Sequence, residues 1–212
     1  MFTGLISEVG EVERCKVVRQ LMRLTITAEQ TAPRLKPGDS VAVAGACLTV
    51  EEVSGGSFTC SVIAETLSTT RLGQLRVGDA VNLELPVGPG DLFGGHLVTG
   101  HVDTVGRVRL IQKDDSRATI KVIFSHHYDR WVIEKGSIAI DGASLTVAKH
   151  RLGEVELAII PTTREKTTIG WLKSGDVVNI EFDQAIKALA QGARLARPAT
   201  TLSEERLRRA GW

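Results

Sequence analysis

Cysteine is scarce in this chain, with Cys15, Cys47 and Cys60 the only three in 212 residues. No two form a CxxC pair and an odd number cannot all be bridged, so a complete disulfide framework is excluded and reduced thiols are expected. An excess of charge is missing as well. Lys and Arg number 26 against 25 Asp and Glu, which leaves no net field to draw the chain to nucleic acid or to an anionic membrane. No apolar run approaches the roughly 18 residues that cross a bilayer. Met1 leads into folded-looking sequence without a charged start and an apolar signal core, so the expected compartment is cytoplasmic. These absences point to a soluble protein with a small-molecule or protein partner, without nucleic acid or membrane.

What is present is a second beginning. The opening MFTGLISEVGEV returns inside GGHLVTGHVDTVGRV (94–108), where Thr3, Gly4, Val9, Gly10 and Val12 fall on Thr99, Gly100, Val105, Gly106 and Val108. Two further blocks follow in order. VAVAGACLTV (41–50) lies on IAIDGASLTV (138–147), and IAETLSTTRLGQLRVGDAVNLE (63–84) lies on IPTTREKTTIGWLKSGDVVNIE (160–181), both at an offset of 97. A period this long exceeds that of solenoid and propeller repeats and reads as two copies of one globular domain. Each copy, at about 100 residues, can hold its own core. Pro and Gly in PVGPGDLFGG (86–95) mark the linker between them.

Within each copy the apolar residues alternate or run in short Val-, Ile- and Thr-rich stretches, as in LTITA (24–28), SVAVAG (40–45) and FTCSVIA (58–64), punctuated by turns such as KPGDS and VSGGS. Many short strands with little 3.6-residue periodicity predict a small closed β-barrel, in which no strand edge is left open. The last 30 residues differ. DQAIKALAQGARLA (183–196) puts Ile186, Leu189, Ala190 and Ala193 on one helical face, and Pro198 separates it from a second short helix, SEERLRRAGW. The stripe suits self-association; the alternative is a helix that caps the second barrel.

Two like barrels suit two like ligands, so chemistry is sought where the copies disagree. Cys47 becomes Ser144, Ala44 becomes Asp141 and Leu5 becomes His101, giving the second copy a hydroxyl, a carboxylate and an imidazole. No nucleophile-elbow signature surrounds Ser144, which argues against a hydrolase triad. Polar residues on a strand also serve turns, and that reading stays open. His96 and His101, five apart on an expected strand, face opposite ways with no third ligand at suitable spacing, so no metal site is expected. His126 and His127, flanked by Ser125 and Tyr128, fit a surface turn. Phe2, placed where a terminus would fray, packs either on core or on a planar ligand.

The opening MFTGL, the paired GACLTV and DGASLTV, and GGHLVTGHVD resemble the riboflavin synthase family, in order, in both copies and over nearly the whole chain. The resemblance implies an all-β fold of two tandem six-stranded Greek-key barrels, residues 1–92 and 93–184, and a trimerising helical segment, 185–212. Such enzymes join two molecules of 6,7-dimethyl-8-ribityllumazine by four-carbon transfer, giving riboflavin and 5-amino-6-(D-ribitylamino)uracil, without metal or organic cofactor. It places one pteridine near Phe2, Gly4, Ile6, Cys47, Thr49, Glu65 and Thr66, with Leu5, Leu48 and Ser61 beside them. The other falls near Gly100, His101, Val102, Lys135, Ser144, Thr146 and Thr163, with Leu145, Ile160, Pro161 and Thr162.

The family's chemistry removes an acidic methyl proton from one lumazine and adds a nucleophile to the other. The resemblance assigns base, oxygen nucleophile (or water holder) and orienting charge among His101, Ser144 and Asp141, with Cys47 and Phe2 supplied by the opposite barrel of a neighbouring subunit. It also raises a lumazine synthase shell as a partner. Three positions depart from the family pattern. Ala44 removes a polar group expected near the ring, and Thr162 with Arg164 alters expected contacts to the ribityl hydroxyls. A non-catalytic branch of the superfamily, the lumazine and yellow fluorescent antenna proteins, lacks the histidine-bearing motif, which is intact here.

Overall fold

In the computed structural model, which describes residues 1–18, 21–113, 118–195, 208 and 211, the chain folds twice into the same object. The first barrel contains β1 (Glu8–Val18), β2 (Leu21–Thr27), β3 (Ser40–Val43), β4 (Ala46–Ser54), β5 (Ser57–Val62) and β6 (Ala80–Glu84), closed in the order β1-β2-β5-β4-β3-β6. The second contains β7 (Thr104–Lys113), β8 (Ala118–Ile123), β9 (Ser137–Ile140), β10 (Ala143–Arg151), β11 (Glu154–Ile159) and β12 (Val177–Phe182), closed in the equivalent order. All ladders are antiparallel. The fold is therefore two closed six-stranded barrels.

Sequence alternation becomes inside and outside. In β2 every second residue, Met22, Leu24 and Ile26, is buried, and β4 and β10 show the same burial pattern residue for residue. Each barrel closes on its own core, around Leu24, Phe58 and Leu83 in the first and Ile138, Leu157 and Ile180 in the second. Ladder registers shift at Val12/Arg14 and Val50/Glu52, and again at Val108/Leu110 and Val147/Lys149. Such bulges bend a strand enough to close a small barrel. Between barrel strands lie two short helices, α1 (Ala64–Thr69) and α2 (Pro161–Lys166), each followed by a 3-10 turn.

The expected C-terminal helix is α3 (Gln184–Leu195). Its stripe is divided: Ile186 and Ala190 are half-buried, while Leu189 and Ala193 are exposed. Lys187 anchors it by an ion pair to Asp103 at 2.8 Å. The second short helix expected at 203–212 falls almost wholly outside the described residues. No described helix is long and apolar enough to cross a membrane.

The restart segment 94–103 is not a strand, contrary to expectation. Its backbone makes one isolated bridge, Phe2 with Val98, and Gly100 takes a positive φ of 82° that a strand does not accommodate. The opening segment does the same at Gly4, with φ 78°. Both segments are arms that leave the sheets, and they meet each other between the barrels.

Candidate functional site

Each arm is clasped by a buried glutamate at the end of its own barrel's last strand. Glu84 accepts from the N–H groups of Thr3 (2.7 Å) and Gly4 (3.0 Å), and Glu181 accepts from Thr99 (2.7 Å) and Gly100 (3.0 Å). Burial raises both carboxyl pKa values despite these donors. Each arm then crosses to the other barrel. The Gly4 carbonyl accepts from the N–H of Ser144 at 2.8 Å, and the Gly100 carbonyl accepts from the N–H of Cys47 at 2.9 Å. A Cβ on Gly4 would lie 2.6 Å from the Ser144 Cβ, so only glycine allows this approach.

This exchange corrects the expected grouping of site residues. Gly4, Leu5 and Ile6 belong with Ser144, because they line a cavity of about 240 Å³ together with Ala143, Thr162, Thr163, Lys166 and Thr167. Ile6 also packs on the second core, and Val102 packs on the first. Gly100, His101 and Val102 accordingly belong with Cys47. On α1, Glu65 and Thr66 hold the positions that Thr162 and Thr163 hold on α2.

Ser144 does not meet His101. His101 is exposed on the arm that serves Cys47. The Ser144 partner is His96, whose Nδ1 lies 2.7 Å from Ser144 Oγ and whose N–H donates to the Thr3 carbonyl. His96 is 8% exposed and its Nε2 has no hydrogen-bond partner. Burial lowers its pKa, opposed by the charge of Asp183, and so favours the neutral imidazole over the imidazolium. His96 sits one position before the second copy's restart, at an offset with no counterpart in the first copy. That singularity was its visible signal.

Two further expectations change. Asp141 is fully buried in the turn before β10, but its carboxylate faces away from Ser144 chemistry: Oδ1 accepts from Arg71 Nε at 2.9 Å and from the Asn179 N–H at 2.9 Å. Burial opposes the Arg71 charge, yet the charge and hydrogen bond of Asp141, with the charges of Asp79 and Asp176, together raise the guanidinium pKa. This is the junction between barrels, where Asn82 donates to the Asp141 carbonyl and Asn179 to the Ala44 carbonyl. The Ala44 departure therefore falls at the junction, where its carbonyl accepts from Asn179. Phe2 is completely buried with Ala42, Val98 and Ala139, and Cys47 packs against the cluster. Its ring is core between the barrels and has no face open to a ligand.

Leu48 and Leu145 point into the cores, whereas Thr49 and Thr146 point outward beside Cys47 and Ser144. Ser61 is half-buried on β5, Ile160 and Pro161 are exposed at the start of α2, and Lys135 is exposed in a positive-φ turn outside the cavity lining. His126 and His127 lie exposed on a 3-10 turn. Lys166, which lines the cavity, was missed although its counterpart is Thr69, a disagreement between the copies of the same kind that pointed to Ser144. A larger groove of about 520 Å³ at the junction, lined by Arg71, Asp79, Trp171 and Asp176, holds neither arm nor Ser144.

Two closed barrels that trade arms at equivalent positions, with a cavity where the first arm meets Ser144, define a tandem small-molecule-binding protein. The model of the lumazine binding domain matches residues 3–86 and again 99–183. Riboflavin synthase of Mycobacterium tuberculosis is 40% identical over 200 residues, covering 92% of this chain and 100% of that one. Riboflavin synthase of Actinobacillus pleuropneumoniae is 38% identical over 216 residues, covering both chains completely. The crystal structure of LumP complexed with 6,7-dimethyl-8-(1'-D-ribityl) lumazine shares the fold, with TM-score 0.79 at 23% identity over 86% of this chain and 99% of that chain. The chain belongs to the riboflavin synthase family, whose members are enzymes.

Proposed function

We propose that this chain catalyses the dismutation of 6,7-dimethyl-8-ribityllumazine. A four-carbon unit passes from one molecule to the other, giving riboflavin and 5-amino-6-(D-ribitylamino)uracil as the last step of riboflavin synthesis. The observation that carries this reading is the pair of arm-to-barrel contacts, Gly4 on Ser144 and Gly100 on Cys47, alike in frame and unlike in chemistry. Equal frames suit two copies of one substrate. Unequal groups, Ser144 with His96 in one and Cys47 with His101 in the other, suit one molecule that donates carbons and one that accepts them.

The second pocket is the place for proton removal. A neutral His96 takes a proton through the Ser144 hydroxyl, and its buried position keeps competing water away. The first pocket offers Cys47 and His101 for the nucleophilic addition to the other lumazine. For the two rings to meet, the first barrel of one subunit faces the second barrel of its neighbour in a homotrimer joined through α3, and the enzyme works in the cytoplasm. The exposed Leu189 and Ala193 support that use of the helix.

Incubation of the chain with the lumazine alone, followed by flavin absorbance and by lumazine fluorescence, tests the reading. Flavin should appear without metal or cofactor. Tight fluorescent binding without turnover would instead identify an antenna protein.

A further inference from the structure

We propose that Lys166 makes the second barrel the site at which lumazine is held as an anion, so the molecule that loses its methyl proton sits there. The inference rests on the lumazine reading above. Lys166 ends α2 and lines the cavity with Ser144 and Thr162. At the corresponding positions of α1 stand Thr69 and Glu65. The second cavity thus has a cation and no carboxylate among its lining residues, where the equivalent positions of α1 hold a hydroxyl and a carboxylate.

The other charged groups around the second pocket do not reverse this sign. His96, from the arm, is pushed toward neutrality by burial. Asp183, after β12, influences His96, but its Oδ1 accepts from the Ala185 N–H at the start of α3. Arg164 and Glu165 neighbour Lys166 on α2, and neither lines the cavity. Opposite the helix, the arm contributes only Gly4, Leu5 and Ile6.

A methyl group on a carbon of a conjugated C=N ring is acidic because its electron pair spreads over the ring. When its C–H bond breaks, the proton passes through the Ser144 hydroxyl to His96 Nδ1, and the pair stays on the ligand as a delocalised negative charge. A nearby ammonium favours that anion and a nearby carboxylate disfavours it. The neutral, electrophilic lumazine is then left to the first barrel, beside Cys47.

The experiment binds 6,7-dimethyl-8-ribityllumazine to the full chain in D₂O and follows deuterium entry into its methyl groups by mass spectrometry within the first turnover. Lys166→Met should slow exchange roughly tenfold, the equivalent of one pKa unit on the ligand, with binding by fluorescence preserved. Lys166→Arg should restore it, and Glu165→Gln, on the same helix but outside the cavity lining, should not slow it. Exchange in Lys166→Met at the wild-type rate, with lumazine bound, would overturn the inference while leaving the lumazine reading intact. A wild-type chain that binds no lumazine would overturn both.

Discussion

His96 Nδ1 lies 2.7 Å from Ser144 Oγ, and the backbone of the same histidine donates to Thr3 on the opposing arm. One residue thereby ties the arm pairing to the hydroxyl of the second pocket. Replacing His96 with Gln keeps a polar side chain but removes the proton acceptor. Turnover should fall roughly 10²- to 10⁴-fold, the usual range for a lost general base, with lumazine binding retained. Ser144→Ala should behave alike, and the double variant should be little worse than either, because groups that act as a unit are not additive. Flavin formation and lumazine fluorescence, read on the same samples, check this.

The lowered pKa of His96 also gives stability a pH dependence of known sign. An unfolded imidazole titrates near about 6.5, whereas the folded one resists protonation. As pH falls below that value the unfolded state binds a proton first, so stability drops until the folded pKa is passed. Glu84 and Glu181 act with the opposite sign, since their raised folded pKa values make proton uptake favour the folded state as pH falls. The difference between wild type and His96→Gln isolates the histidine. Urea midpoints measured between neutral and mildly acidic pH should fall in wild type relative to the variant.

Arg71 and Asp141 form the buried ion pair of the junction, with side chains 16% and 0% exposed. Removing one partner leaves the other charge buried and unpaired, a loss of about 3–5 kcal/mol. Asp141→Asn and Arg71→Met should each destabilise the chain strongly, and the double variant should recover much of the loss. Chemical denaturation of the four proteins gives the coupling directly. Additive single losses would show that the pair does not join the barrels.

Leu189, 70% exposed on α3, tests assembly without disturbing the barrel. Leu189→Glu should dissociate a trimer to monomers in sedimentation velocity, and turnover should fall with it because the two pockets of a reacting pair then separate. An unchanged sedimentation coefficient would make the helix a cap on its own barrel.

The barrels were legible because period-two alternation and repeated turn residues are local properties, and β2, β3 and β5 lie where LTIT, SVAV and FTCSV pointed. The arms were not. Gly4 and Gly100 look like residues of ordinary strands, and only the folded chain shows that their neighbours' N–H groups go to Glu84 and Glu181 while their carbonyls go to the other barrel. That crossing moved His101 to Cys47 and left Ser144 to His96. Asp141 misled for a related reason: its proximity to Ser144 in sequence says nothing of a carboxylate drawn toward Arg71, 70 residues away.

The central claim is that two lumazines, one in each kind of pocket, combine. Supplying the chain with an equal mixture of unlabelled lumazine and lumazine fully labelled with ¹³C in the four carbons of its two methyl groups and their ring positions tests it most directly. Mass spectrometry of the riboflavin should find about half of the molecules carrying one labelled and one unlabelled four-carbon unit, the proportion set by random pairing of two independent sites. Riboflavin composed only of wholly labelled and wholly unlabelled molecules, or bound lumazine with no riboflavin at all, would contradict the account.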